Sequence, residues 1–228
     1  KDASKATATA TTIIGGVHTG TSSQNNTLTI EGAGTTYTFG NTHLSMLVGQ
    51  IGSSGNTLEI LDGAVVSGTN GLAGTGGIKV GYYANSSNNQ VLVDGTGSKL
   101  TLGTPTLAMV VGLASNSTSQ NNEVLIRNGG SVEAAGNLSV VGHADSTTNR
   151  VVVESSGTLL VAAASISYGY IEINGGSMAT TGNLSLSNQG RLNFLDGTIT
   201  IGGNLTTADT VGRFGFDLTG DTPSLFSG

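Results

Sequence analysis

The chain has 228 residues, with 37 Gly and no Cys, so a disulfide scaffold is excluded. Gly, Ser, Thr and Asn supply 113 of the 228, while charged residues are 10% and aromatics 4%; that mixture starves a helical protein of its best formers, and the glycines lack the three-residue period of collagen. Eight Lys and Arg face 14 Asp and Glu, and no basic cluster exists to neutralise phosphates, so a nucleic-acid partner is not expected.

The chain opens at Lys1 without an initiator Met, as expected of a mature product or an excised segment. The stretch Ala6-Thr7-Ala8-Thr9-Ala10-Thr11-Thr12-Ile13-Ile14 alternates and is β-prone. Residues 1–24 are expected to form an extended segment and the edge of a first coil, acting as a cap or a donor strand. From residue 25 a short unit recurs with apolar residues at alternate positions. It reads Thr27-Leu28-Thr29-Ile30, Thr57-Leu58-Glu59-Ile60, Gln90-Val91-Leu92-Val93 and Glu123-Val124-Leu125-Ile126. It continues as Arg150-Val151-Val152-Val153, Tyr170-Ile171-Glu172-Ile173, Arg191-Leu192-Asn193-Phe194 and Arg213-Phe214-Gly215-Phe216. The starts are 30, 33, 33, 27, 20, 21 and 22 residues apart. Each unit leads through a Gly-containing turn into a second short strand, as in Gly97-Ser98-Lys99-Leu100-Thr101-Leu102. A third strand closes on Val48-Gly49, Val80-Gly81, Val111-Gly112 or Val141-Gly142. In the early units a polar loop follows, at 50–56, 82–89, 113–122 and 143–149, and its loss accounts for the later, shorter interval. Residues 25–208 are thus expected to hold the repeats, and 209–228 a last coil or assembly edge.

Such short strands cannot hold a hairpin sheet by themselves. A coil of three can stack on copies of itself at ~4.8 Å, with alternate apolar residues pointing into a shared core. The predicted fold is all-β: a parallel β-helix (β-solenoid) of about eight coils, three short strands per coil. A sandwich or barrel of hairpins would also space strands by ~8–12 residues. It would not repeat the turn chemistry of a whole unit at every third strand.

The segment Asn88-Asn89-Gln90-Val91-Leu92-Val93-Asp94-Gly95-Thr96-Gly97-Ser98-Lys99-Leu100 follows the pattern NN-x-V-x-V-x-G-x-G-S-x-L, and residues 25–34 and 121–131 follow it closely. With its closing Val-Gly strand, this pattern resembles the β-strand repeats of bacterial autotransporter passengers, shared by type V secretion and PEP-CTERM-bearing surface proteins. The resemblance spans roughly residues 25–205. It implies a secreted or cell-surface solenoid, and no catalytic residues, because the repeat carries none.

A solenoid converts sequence positions into vertical columns. One column is Asn26, Asn56, Asn89, Asn122 and Asn149, each just before its strand. It is read as a structural corner ladder rather than a glycan or metal ridge, since Asn tolerates the left-handed turn conformation and its amide can bond the turns above and below. Asn137, Asn183 and Asn204 are read the same way. Asp94, Arg127 and Glu154 form a charged column, and Glu123 stands above Arg150, so inter-coil ion pairs are expected. An Arg between the acids argues against catalytic carboxylates. Asp62-Gly63, Asp94-Gly95 and Asp196-Gly197 raise the question of calcium, but Asp-Gly is the ordinary turn dipeptide and the calcium-binding β-roll repeat is missing. No cofactor is expected. His18, His43 and His143 are scattered, which argues against zinc. The triplets Thr27-Leu28-Thr29, Thr36-Tyr37-Thr38 and Thr198-Ile199-Thr200 do not recur coil after coil in one column, so a flat ice-binding face is not expected.

Neither end reads as a polar cap. The candidate assembly ends are Thr7, Thr9, Ile13 and Ile14 at one side and Phe214, Phe216, Leu225 and Phe226 at the other. Head-to-tail stacking would form an open, heterologous contact. The expected function is a non-enzymatic structural subunit of a secreted bacterial surface filament or extracellular matrix, a homopolymer. The alternative is a monomeric surface adhesin or spacer that binds glycans or cells through its corner loops, with Tyr82 and Tyr83 as the sugar-stacking contact.

Overall fold

A computed structural model describes residues 4–8, 10–16, 23–40, 45–69, 76–106, 108–112, 119–145, 147–208 and 213–216. The described chain winds through eight turns of three strands. Turn one holds β1 (Lys5–Ala8), β2 (Thr12–Ile14) and β3 (Thr27–Glu31); turn two holds β4 (Thr36–Phe39), β5 (Ser45–Val48) and β6 (Thr57–Leu61). Turn three is β7 (Val65–Gly68), β8 (Gly77–Val80) and β9 (Gln90–Asp94); turn four is β10 (Lys99–Leu102), β11 (Ala108–Val111) and β12 (Glu123–Arg127). Turn five is β13 (Ser131–Ala134), β14 (Leu138–Val141) and β15 (Arg150–Glu154). Turn six is β16 (Thr158–Val161), β17 (Ala164–Ser167) and the first half of β18 (Tyr170–Thr180). β18 rounds the corner into turn seven, joined by β19 (Leu184–Ser187) and the first half of β20 (Arg191–Ile201); turn eight adds β21 (Leu205–Thr207) and β22 (Arg213–Phe216).

Every third strand lies on the same face, and all pairings are parallel. Face I runs β1, β4, β7, β10, β13, β16 and the second halves of β18 and β20. Face II runs β2, β5, β8, β11, β14, β17, β19 and β21. Face III runs β3, β6, β9, β12, β15, the first halves of β18 and β20, and β22. The predicted parallel β-solenoid is the observed fold. Its first turn uses β1 and β2, so stacking begins at Lys5, inside the segment expected as an edge.

The core follows from the pleat. β9 and β12 alternate half-buried and buried residues, so Val91, Val93, Val124 and Ile126 are fully buried while Leu92 and Leu125 face outward. Register holds this column by column: Leu58, Val91, Val124, Val151, Ile171 and Leu192 stack in line. A one-residue slip in any turn would expose its whole inward set. The corner from face III to face I uses left-handed backbone, supplied by Asp62 (φ 52°), Asn128 (φ 53°), the Ser155-Ser156 pair (φ 48° and 67°) or glycine. Asp62-Gly63 is therefore a turn and Asp94-Gly95 bends out of β9, as the sequence indicates, while Asp196-Gly197 stays within β20 where that strand rounds the corner.

Candidate functional site

The corner between faces II and III is the most organised polar region of the molecule. Asn56, Asn89, Asn122 and Asn149 are fully buried, and their carboxamides join in one continuous ladder. Asn26 Nδ2 donates to Asn56 Oδ1 (2.8 Å), Asn56 Nδ2 to Asn89 Oδ1 (2.8 Å), Asn89 Nδ2 to Asn122 Oδ1 (2.9 Å) and Asn122 Nδ2 to Asn149 Oδ1 (3.0 Å). Each Oδ1 accepts a second bond, from the backbone N–H of the preceding Asn, at 3.0 to 3.2 Å. The second amide hydrogen goes to a carbonyl: Asn89 to Ser53, Asn122 to Ser86, and Asn149 to Ser119 and Val141. Every rung is thus satisfied, which is what makes buried carboxamides tolerable.

The loops explain why the ladder exists. A chain that leaves the corner and returns leaves the N–H of its last residue with no carbonyl in the adjoining turn. The Asn of the next turn reaches back with Oδ1 and accepts it. Two further columns serve this corner and were not foreseen. One is glycine. A Cβ on Gly15, Gly49 or Gly81 would fall 2.0 to 2.3 Å from the carboxamide of Asn56, Asn89 or Asn122, and one on Gly112 would fall 2.2 Å from Asn149 Nδ2. Their φ values of 76°, 77°, 60° and 87° independently require glycine. The closing Val-Gly of one turn is therefore the seat of the Asn one turn on. The other column is serine. Ser53, Ser86 and Ser119 are fully buried, and Ser86 and Ser119 accept bonds from the Asn three residues on. The recurrence of Ser-x-x-Asn at 23–26, 53–56, 86–89, 119–122 and 146–149 is a signal that could have found it; Ser146 lies outside the described residues.

One expected reason needs correcting. The left-handed residues are Asn25 (φ 57°), Asn88 (φ 57°) and Asn121 (φ 53°), each immediately before a ladder Asn, and not the ladder residues themselves. The first Asn of each pair makes the turn, and the second makes the ladder. The Asn137, Asn183 and Asn204 column is simpler. Asn183 Oδ1 accepts from Asn204 N–H (2.8 Å), and Ala163 stands between Asn137 and Asn183 in the stacking order.

On face III the charged columns pair along the solenoid axis. Arg127 Nε donates to Asp94 Oδ2 (2.8 Å) and Arg150 Nε to Glu123 Oε1 (2.5 Å). Glu123 also accepts from Gln90 (2.7 Å), and Arg191 lies over the Tyr170 ring at 5.2 Å. Glu154 joins no ion pair among the described residues, although it was expected to. Arg127 is committed to Asp94, and β12–β15 register ends at Ile126 and Val153, with Glu154 beginning the bulge opposite Asn174 and Gly175. Burial pushes the Asp94 carboxyl up, but hydrogen bonds from Asn128 and Arg127 and the guanidinium charge outweigh it and hold it below the ordinary value. A further axial pair, Lys99 with Glu133 (2.6 Å), lies on face I.

The loop tyrosines meet edge to face, ring centres 5.4 Å apart, and Lys79 Nζ sits 4.4 Å over the Tyr82 ring. Burial lowers the Lys79 pKa. One Tyr82 ring face is thus already covered by an ammonium group, which leaves Tyr83 the more available for stacking. The loops stack too: Asn25 N–H donates to Ser54 carbonyl, Asn88 N–H to Gln120 carbonyl, and Ser54 bridges Ser87. Thr36-x-Thr38 and Thr198-x-Thr200 do share the columns of face I, but Val65, Lys99, Glu133 and Leu160 interrupt them. His143 Nδ1 lies 3.4 Å from Asp145 Oδ2. Among the described residues no three His, Asp or Glu side chains gather as a metal site would require.

Of the candidate assembly residues, Thr7 pairs with Thr38 in register, Ile13 is 40% exposed and Ile14 is buried. Phe214 and Phe216 extend the register of Leu192 and Phe194, their backbone alone being described. Thr9, Leu225, Phe226, His18, His43 and loop residues 113–118 lie outside the described residues. Comparison with protein-family models, curated proteins and solved structures found no match.

Proposed function

We propose that this chain is a structural subunit of a secreted bacterial surface filament or extracellular matrix, whose copies stack head to tail through the solenoid ends. The phase of the rungs carries the reading. Among the described strands, the rotation opens on face I with β1 and reaches face III with β22. The next strand in rotation belongs on face I, where β1 of a second copy would stand. In that register Ala6 and Ala8 follow Ile199 and Ile201, Leu28 and Ile30 follow Phe214 and Phe216, and Ile14 follows Thr207. Apolar columns continue across the junction on faces I and III, while on face II Thr12 follows Leu205 and Ile14 follows Thr207. Parallel edges that are unpaired among the described residues, with exposed Ile13 (40%) and Leu205 (39%), are what such a junction would cover. The contact joins unlike surfaces and does not close, so it propagates. The secreted, bacterial setting rests on the repeat resemblance.

Electron microscopy and sedimentation of the protein test this. Open-ended rods one solenoid wide are expected. Thr36 N–H points back toward turn one, to Ser4 carbonyl, so by register the N–H of Lys5 and Thr7 point off the open edge. Thr7→Pro removes an edge donor without touching the core and should abolish polymers while leaving the monomer folded. Uniform monomers of the unaltered chain at high concentration would defeat the filament and favour the spacer.

A further inference from the structure

We propose that face III carries a self-complementary patch by which the flank of one copy docks on the flank of a second. Its centre is an apolar run at the outward position of the strand, the half-buried Leu92 and Leu125 and the nearly buried Val152 (8% exposed), one residue in each of three consecutive turns and in direct register. Outward positions of a solvated sheet face are ordinarily polar, and here three stack without interruption. The strand starts beside them are Gln90, Glu123 and Arg150; the strand ends are Asp94, Arg127 and Glu154. The sign reverses across two of the three strands and again between their turns: β12 begins acidic and ends basic, while β15 begins basic and ends acidic; β9 begins neutral and ends acidic.

That checkerboard matches its own image. A half-turn about an axis parallel to the solenoid exchanges strand starts for strand ends, as in any isologous contact. Glu123 then faces Arg127 of the second copy, Arg150 faces its Glu154, and Leu92, Leu125 and Val152 each meet their own counterpart. Glu154, which has no ion pair within the chain among the described residues, acquires one. A guanidinium has donors enough to serve Glu123 on its own chain and Glu154 on the other. Slipping the copies by one turn would set Glu123 against Glu154, so the register is specified by repulsion as well as attraction. Glu59 and Glu172, the outward residues on the turns before and after the patch, would meet their own images and confine the contact to three turns. Five residues across and three turns high is roughly 17 by 14 Å from strand dimensions, or roughly 240 Å². A stable interface takes about 800 Å² per partner. The contact is therefore weak between single copies and gains strength when many are aligned.

The chain has no cysteine, so a single introduced thiol reports the contact cleanly. Leu125→Cys should form a disulfide dimer under mild oxidation about tenfold faster than Ser165→Cys, an exposed position on face II. Adding Glu154→Arg to the Leu125→Cys chain should slow it about fivefold, with circular dichroism unchanged. The readout uses particles sized below any polymer, so it is independent of end-to-end stacking. Equal cross-linking at Leu125→Cys and Ser165→Cys, or no response to Glu154→Arg in a folded protein, would overturn the proposal.

Discussion

The corner between faces II and III is built in two ways along one molecule. In turns one to five the chain makes a loop there and returns through Asn26, Asn56, Asn89, Asn122 or Asn149. In turns six and seven it passes directly through Gly169 and Gly190, and Gly190 N–H is satisfied locally by Ser187 carbonyl at 2.8 Å. The backbone ladder beyond the corner is the same in both: Arg150 N–H donates to Asn122 carbonyl (2.9 Å) and Arg191 N–H to Gly169 carbonyl (3.0 Å). What differs is the polar load. The looped corner buries carboxamides and hydroxyls and satisfies those of the ladder, although Gln50 Oε1 beside it is buried without a partner among the described residues, whereas the tight corner buries almost none. Loops are thus permitted only where a side-chain ladder underwrites them, and the ladder in turn demands glycine one turn away.

That coupling can be broken at its tightest point. Gly81→Ala brings a left-handed strain and a Cβ 2.0 Å from Asn122 Cγ, and should destabilise by about 3 kcal/mol or more. Gly103→Ala, whose Cβ would lie 3.9 Å from its nearest neighbour, should stay within about 0.5 kcal/mol. Urea titration of both variants checks the pair, and equal midpoints would sever glycine from ladder.

The ladder itself should be the next most sensitive element. Asn122→Ala strands the Asn89 N–H and the Ser86 carbonyl in a dry corner and takes one acceptor from Asn89 Nδ2, for about 3 kcal/mol. Asn183→Ala in the tight turns removes one exposed acceptor and should cost less than about 1 kcal/mol. Hydrogen exchange at the Asn89 amide would sharpen the contrast, since its protection should fall only in Asn122→Ala.

The smallest effect is electrostatic and belongs to the looped half. Asp94 titrates below its ordinary value in the folded chain, so its contribution to stability is present above the unfolded pKa and is lost as pH falls through the folded one. Asp94→Asn should cost less than about 1 kcal/mol at neutral pH, because the pair is solvent-accessible, and nothing once both pKa values are passed. Thermal unfolding of the two proteins from pH 7 to pH 2 would show the curves converge; parallel curves would remove the ion pair from the account.

Much of this was legible in residue order. Recurrence of Thr57-Leu58-Glu59-Ile60 and its seven relatives identifies stacked strands, because period-two burial shows in the alternation itself. The Asn26 to Asn149 column and the Asp94–Arg127 pairing follow once turns are aligned. The seat at Gly81 did not, because its partner Asn122 is 41 residues away and nothing local ties a strand-ending glycine to a carboxamide in the following turn. Nor could the sequence say which Asn of Asn88-Asn89 takes the left-handed backbone, since Asn tolerates it at either position and only the packed corner selects.

Sequence by itself determined that this chain stacks short parallel strands about an apolar core, because alternation and repeat length are properties of residue order. Tertiary structure alone decided which polar groups are sealed from water, and therefore that Asn56, Asn89, Asn122 and Asn149 form one connected, fully satisfied column while Glu154 has no ion partner among the described residues. Burial and satisfaction depend on what lies one turn above and one turn below, and only the wound chain places those neighbours within hydrogen-bonding distance.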